Sequence, residues 1–146
     1  MSGNFEVPAI LTKGEGFVTA EVLGDRLIVT GAFSNLMDEI DLSIAGGAHL
    51  HSAYAGSNGD VLQLITATPD ASNLGGVFAS ANNEITLDST TKAMLRERMV
   101  YTNIHSVAYA SGELRSQLLH EATAYFVGTL SGGQQPTPVN TLATGG

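Results

Sequence analysis

Apolar and polar residues alternate with a period of two along much of this chain, the spacing at which side chains on a strand share a face. In "GFVTAEVLGDRLIVTGAF" the alternation runs through Phe17, Val18, Ala20 and Val22, stops at Gly24-Asp25, and resumes at Leu27, Val29 and Ala32. That pattern predicts a hairpin. "EIDLSIAGGAHLHSAYAG" predicts one further strand or two, broken at Gly46-Gly47. "DVLQLITAT" is another β-rich run, and "GGVFASANNEITLD" predicts two short strands around an Asn-Asn turn.

The period changes once. "DSTTKAMLRERM" opens on the cap-forming residues Asp88, Ser89 and Thr90 and continues in good helix formers. It predicts the single helix of the chain, about two to three turns long, with Ala93, Met94 and Leu95 seated on one side. "MVYTNIHSVAY" and "GELRSQLLHEA" predict the next strand pair, turning near Ala110–Gly112, and "TAYFVGTL" predicts a last strand. The remainder, "SGGQQPTPVNTLATGG", has no periodicity and reads as a loop or extended arm. Several short strands at regular intervals give an all-β fold: an antiparallel Greek-key or Ig-like β-sandwich with one short helix.

Composition agrees. At 146 residues the chain fits one domain. Only 14% of it is charged, against about 25% in ordinary globular proteins. The net charge of −8 comes with six scattered basic residues, so no basic stripe exists to meet phosphates. Nucleic acid is excluded as a partner on that ground. No apolar run reaches the length of a membrane span, which argues against membrane insertion. "MSGNFEVP" lacks the charged-then-apolar pattern of a secretory leader. With no cysteine, disulfides, thiolate metal sites and cysteine nucleophiles are absent.

The two ends echo each other. "SGNFEVPAILTKGEG" begins at Ser2 and "SGGQQPTPVNTLATGG" at Ser131, with Pro8 matching Pro138 and Gly16 matching Gly146. Residues 1–124 therefore read as one unit, and residues 125–146 as a strand and arm resembling the start of a second. The strand carrying Tyr125, Phe126, Val127 and Leu130 is expected to fill the position before Ser2. It can do so in the same chain or in a neighbouring one, the latter by strand addition. A border cut through a tandem array is the plainer alternative.

"YTNIHSVAYASGELRSQL" resembles the hallmark of the chordin-type (CHRD) domain, and "AHLHSAYAGSNGDVL" resembles an earlier stretch of the same family. "GTLSG" and "PVNTLATGG" are similar to the family's opening. The resemblance implies a secreted or cell-surface β-sandwich module, often in tandem, with no enzymatic activity established for the family as a whole.

Three of the four histidines fall in those segments. His49 and His51 share a strand face opposite Ala48 and Leu50. Tyr101, Asn103 and His105 share a face opposite Val100, Thr102 and Ile104. Family-like pairing brings the two strands together, and His49, His51 and His105 then converge as ligands for copper or zinc. The alternative is ordinary packing and hydrogen bonding on the sheet. Glu113 and Arg115, with Tyr101 and Asn103, are the residues expected to surround and orient the rings, although a structural Glu113–Arg115 ion pair is the plainer use of those two. His120 closes a strand and stands apart. Asp38, Glu39 and Asp41, or Asn58 and Asp60, offer oxygens to calcium, but a solvated acidic loop accounts for them as well.

The reading is a non-catalytic module for adhesion or assembly outside the cell, with copper or zinc on three histidines. Its expected partners are other extracellular proteins and other copies of itself through the C-terminal strand. The alternatives are a copper-dependent redox enzyme, by analogy with the His-x-His site of copper–zinc superoxide dismutases, and a strand-exchanging subunit of an extracellular filament.

Overall fold

A computed structural model describes residues 1–119, together with the strand pair Leu130–Ser131 and Thr144–Gly145. The predicted strand "TAYFVGTL", with Tyr125, Phe126 and Val127, and His120 lie outside the described residues, apart from the backbone pairing of Leu130 with Gly145.

The predicted hairpin forms. β1 (Glu15–Leu23) and β2 (Arg26–Ser34) pair antiparallel, closing at Leu23 opposite Arg26. The turn needs a positive φ, which Gly24 takes at 63°. β3 (Ala48–Ser52) and β4 (Asp60–Leu64) follow in a second sheet, and β5 (Thr68–Pro69), β6 (Gly76–Phe78) and β7 (Glu84–Thr86) return to the first. β6 and β7 flank a short 3-10 turn as expected, yet they do not pair with each other. Both pair with β2, β6 at residues 31–33 and β7 at residues 26–28. Asn83 between them makes the bend possible: its amide accepts from Thr66 N–H and donates to the carbonyls of Thr66 and Ala79.

α1 (Ser89–Arg96) is capped by Asp88, whose carboxylate accepts the Thr91 N–H at 2.7 Å. Met94 and Leu95 pack against the core, whereas Ala93 is exposed, contrary to the expectation that it joins them. The helix crosses to β8 (Val100–Ser106) and β9 (Tyr109–Gln117), which complete the second sheet in the order β4-β3-β8-β9. The core lies between the two sheets, with Leu27, Val29 and Phe33 of β2 against Leu50, Val100, Ile104 and Leu114. The fold is an all-β antiparallel sandwich, as the alternation predicts. No helix among the described residues is long and apolar enough to cross a membrane.

Two local expectations need correction. The stretch before Gly46-Gly47 is a turn, not a strand. Asp41 accepts from the Ser43 N–H and hydroxyl, and Ala45, Gly46 and Gly47 take φ of 45°, 85° and 80°. The strand therefore begins only at Ala48. The β8–β9 turn falls at Val107-Ala108 rather than near Ala110–Gly112. Gly112 sits inside β9, where a Cβ would lie 2.4 Å from the Asn103 side chain. Its lack of a side chain serves packing across the sheet, not a turn.

Candidate metal centre

β3 and β8 are neighbours, in a register that sets His51 opposite Tyr101 and His49 opposite Asn103. The period of two then sends Ala48, Leu50, Val100 and Ile104 into the core, and the histidines to the other face. That face is not open to water. The N-terminal segment, the turn after Ile40 and the loop after Ser52 cover it. His49, His51 and His105 are 2%, 9% and 5% exposed.

Ligand-capable nitrogens of the three rings all lie within 4.8 Å of one another. Each ring also has one nitrogen against backbone carbonyls. His49 Nε2 lies 3.0 Å from the Ile44 oxygen and 3.1 Å from that of Ala45. His51 Nδ1 is 3.0 Å from the Gly59 oxygen, and His105 Nδ1 is 2.9 Å from that of Ala110. A carbonyl only accepts, so each of these nitrogens carries a hydrogen. The remaining nitrogens are His49 Nδ1, His51 Nε2 and His105 Nε2, each of which offers a lone pair when its ring is neutral. His105 Nε2 and His49 Nδ1 lie within hydrogen-bond distance of each other at 3.1 Å, and His51 Nε2 is buried with no hydrogen-bond partner among the described residues.

Burial also disfavours protonation of two of the rings. It pushes His105 down to about 4, with the neighbouring rings adding to the effect and the Ala110 carbonyl opposing it. His51 is lowered by burial as well, against the pull of its bond to Gly59. Ring nitrogens brought this close together, with little room for water, suit a cation. A triangle with no side above 4.8 Å has a point within about 2.8 Å of every corner, so an inward shift of about 0.7 Å per ring reaches the 2.0–2.1 Å of a metal–imidazole bond.

The expected surrounding residues separate into two groups. Tyr101 stacks on His51, centroids 4.9 Å apart and 8° from parallel, and the Arg115 guanidinium lies 3.5 Å above the other part of that stack, over the Tyr101 ring. Arg115 also donates to the carbonyls of Tyr54 and Ser57 and to Asn58 Oδ1. Tyr101 accepts the Gly59 N–H at 3.3 Å, while Gly59 accepts from His51. One stack therefore holds both the ring and the loop that orients it. Glu113 does neither. Its oxygens accept from the Thr12 hydroxyl, the Met37 N–H and the Ser106 hydroxyl, so it ties loops to β8. Asn103 turns to Glu6, donating at 3.4 Å. The Glu113–Arg115 ion pair does not form.

Glu6, absent from the sequence expectations, is buried over this face. Burial raises its carboxyl to about 7, although Arg115 and Asn103 draw it down. Nothing in its local sequence marks it. Of the residues considered for calcium, Asp38 accepts the Glu39 N–H, Asp41 caps its own turn, and the Asn58 amide bridges Val7 and Arg115.

A family model for the CHRD domain matches residues 1–118, which takes in both histidine-bearing strands and every residue of the cluster. The chain belongs to the CHRD domain family. No curated protein and no solved structure matches it significantly. For this CHRD domain the match covers the whole sandwich and ends just past β9.

Proposed function

We propose that this CHRD domain is a non-catalytic extracellular module for adhesion or assembly that holds copper or zinc through His49, His51 and His105. The observation that carries the reading is the orientation of the three rings. Each ring sets one nitrogen against a backbone carbonyl, and ligand-capable nitrogens of all three lie within 4.8 Å of one another. Imidazole donors suit both metals, and three of them leave a further position open. Burial of all three rings below a tenth exposed favours a structural ion over a redox enzyme, which must admit its substrate. The occurrence of CHRD domains in extracellular proteins supports the location.

The test is calorimetric titration of metal-free protein with Cu²⁺ and with Zn²⁺. Stoichiometric binding is expected in the unmodified protein and its loss in the His49→Ala/His105→Ala variant. Binding that survives unchanged in the variant overturns the site. A superoxide or peroxide assay on the copper-loaded protein decides the redox alternative.

A further inference from the structure

A cleft of about 720 Å³ opens between β1 and the end of β9, lined by residues 18–22 and 117–119 and floored by Leu27 and Leu95. Ser2 lies between the same two strands, nearer their starts than the cleft-lining residues. It bridges antiparallel to Glu15 of β1 on one side and to Arg115 of β9 on the other, exchanging both backbone hydrogen bonds with Arg115 at 3.0 and 3.3 Å. Two strands that are each antiparallel to one residue run parallel to each other. A strand placed between them and antiparallel to both satisfies the two facing edges at once. Extended back from Ser2, such a strand passes opposite Phe17, Val18, Thr19, Ala20, Glu21 and Val22 in turn.

The sequence holds one apolar segment with the right ending. Residues 124–130, "AYFVGTL", run into Ser131-Gly132, which echoes Ser2-Gly3. We propose that residues 124–129 of a second copy of this chain occupy the cleft, antiparallel to β1, in the register that the echo sets. Thr129 then lies opposite Phe17, Phe126 opposite Ala20 and Ala124 opposite Val22. Residues directly opposite in an antiparallel pair share a face. Val18 and Ala20 face the core, so Gly128 and Phe126 face inward. Phe126 is the anchor, its ring over Leu27, Leu95 and Leu118. Tyr125, Val127 and Thr129 point outward. At about 3.3 Å per residue the segment spans about 20 Å, the length of the strand it pairs with between Phe17 and Val22. The donor leaves the groove after Thr129, before the Met1-Ser2 of its acceptor.

The turn chemistry selects a second copy over the chain's own tail. With Arg115 level with Glu15, Leu119 is level with Thr19 and hence with Val127. β9 ends at Gln117; a return within one chain that prolonged its line in this register would leave it at residue 121 and re-enter at residue 125. It turns on Ala122-Thr123-Ala124. Three-residue hairpin loops favour Gly or Asn at a left-handed position, and this stretch offers neither. Addition between copies is head-to-tail and therefore open-ended.

The native chain has no cysteine, which makes the register directly testable by cross-linking. The full-length Ala20→Cys/Phe126→Cys variant, oxidised at rising concentration, is expected to give a ladder of covalent multimers on a non-reducing gel. The Ala20→Cys/Val127→Cys control, whose second thiol faces outward, is expected to give none. A product cross-linked only within the monomer overturns the second-copy assignment, and no cross-link overturns the groove as its site. In parallel, light scattering of the unmodified full-length chain is expected to show a mass that rises several-fold with concentration. Phe126→Asp is expected to abolish that rise. A strict monomer at every concentration overturns the proposal.

Discussion

Replacing Glu6 by Gln is expected to expose a pH dependence that the unmodified protein conceals. Two buried groups on the same sheet face have their proton affinities shifted in opposite directions. Burial raises Glu6 from 4.5 to about 7. A raised carboxyl contributes stability that is full below pH 4.5 and is lost as the pH climbs through 7. Burial lowers His105 from 6.5 to about 4. A lowered imidazole contributes stability that is full above pH 6.5 and is lost as the pH falls toward 4. Each shift corresponds to about 3 kcal/mol. Between pH 4.5 and 6.5 the slopes oppose and nearly cancel, leaving a shallow rise from the smaller lowering of His51. Gln keeps the shape of Glu and has no proton to lose. Its amide also offers a donor to Asn103 Oδ1, which is buried and unpartnered among the described residues. Urea unfolding of metal-free protein across that window is the assay. The unmodified protein is expected to vary by under about 1 kcal/mol, and Glu6→Gln to gain about 3 kcal/mol as the pH rises. A variant whose profile runs parallel to the unmodified one refutes the opposition and the buried state of Glu6 with it.

Three further outcomes follow from particular contacts. Gly59→Ala places a Cβ 2.0 Å from the Ser52 carbonyl oxygen; it is expected to cost about 1–3 kcal/mol in thermal unfolding and to weaken copper or zinc binding, because the displaced carbonyl no longer orients His51. Arg115→Lys keeps the charge but loses the planar fork on Tyr54, Ser57 and Asn58 and the stack on Tyr101, an expected loss of about 2 kcal/mol by urea unfolding. Asn83→Asp keeps the acceptor to Thr66 N–H but turns an oxygen on the carbonyls of Thr66 and Ala79; it is expected to cost about 3 kcal/mol at neutral pH and to recover in part in acid, as followed by circular dichroism.

How much of this is legible in the chain depends on the range of the interaction. The β1–β2 hairpin, the helix capped by Asp88 and the common face of His49 and His51 are local, set by a period, a cap or a turn residue, and each can be read directly. The convergence of His105 on them needs strand pairing, which the family resemblance supplies and the period alone does not. "IDLSIA" alternates as a strand does, yet folds as a turn because Asp41 closes a side-chain loop and three successive residues take positive φ. Gly112 reads as a turn residue because the conflict its hydrogen avoids, with Asn103, lies on the neighbouring strand. Glu6 is invisible for the same reason: its burial comes from β8 and β9, about a hundred residues away in sequence. The occupant proposed for the groove comes from the tail echo, and its direction and register come from the bridge of Ser2 to both edges.

The loop after Ser52 is gripped almost wholly by its main chain. Arg115 holds the oxygens of Tyr54 and Ser57, and His51 and Tyr101 hold the two sides of Gly59. Tyr54, by contrast, turns its ring outward and is 55% exposed. Positions such as 54 and 57 can therefore be rewritten while the clamp beneath them stays shut, so evolution or a protein engineer could install a new recognition surface there without rebuilding the scaffold.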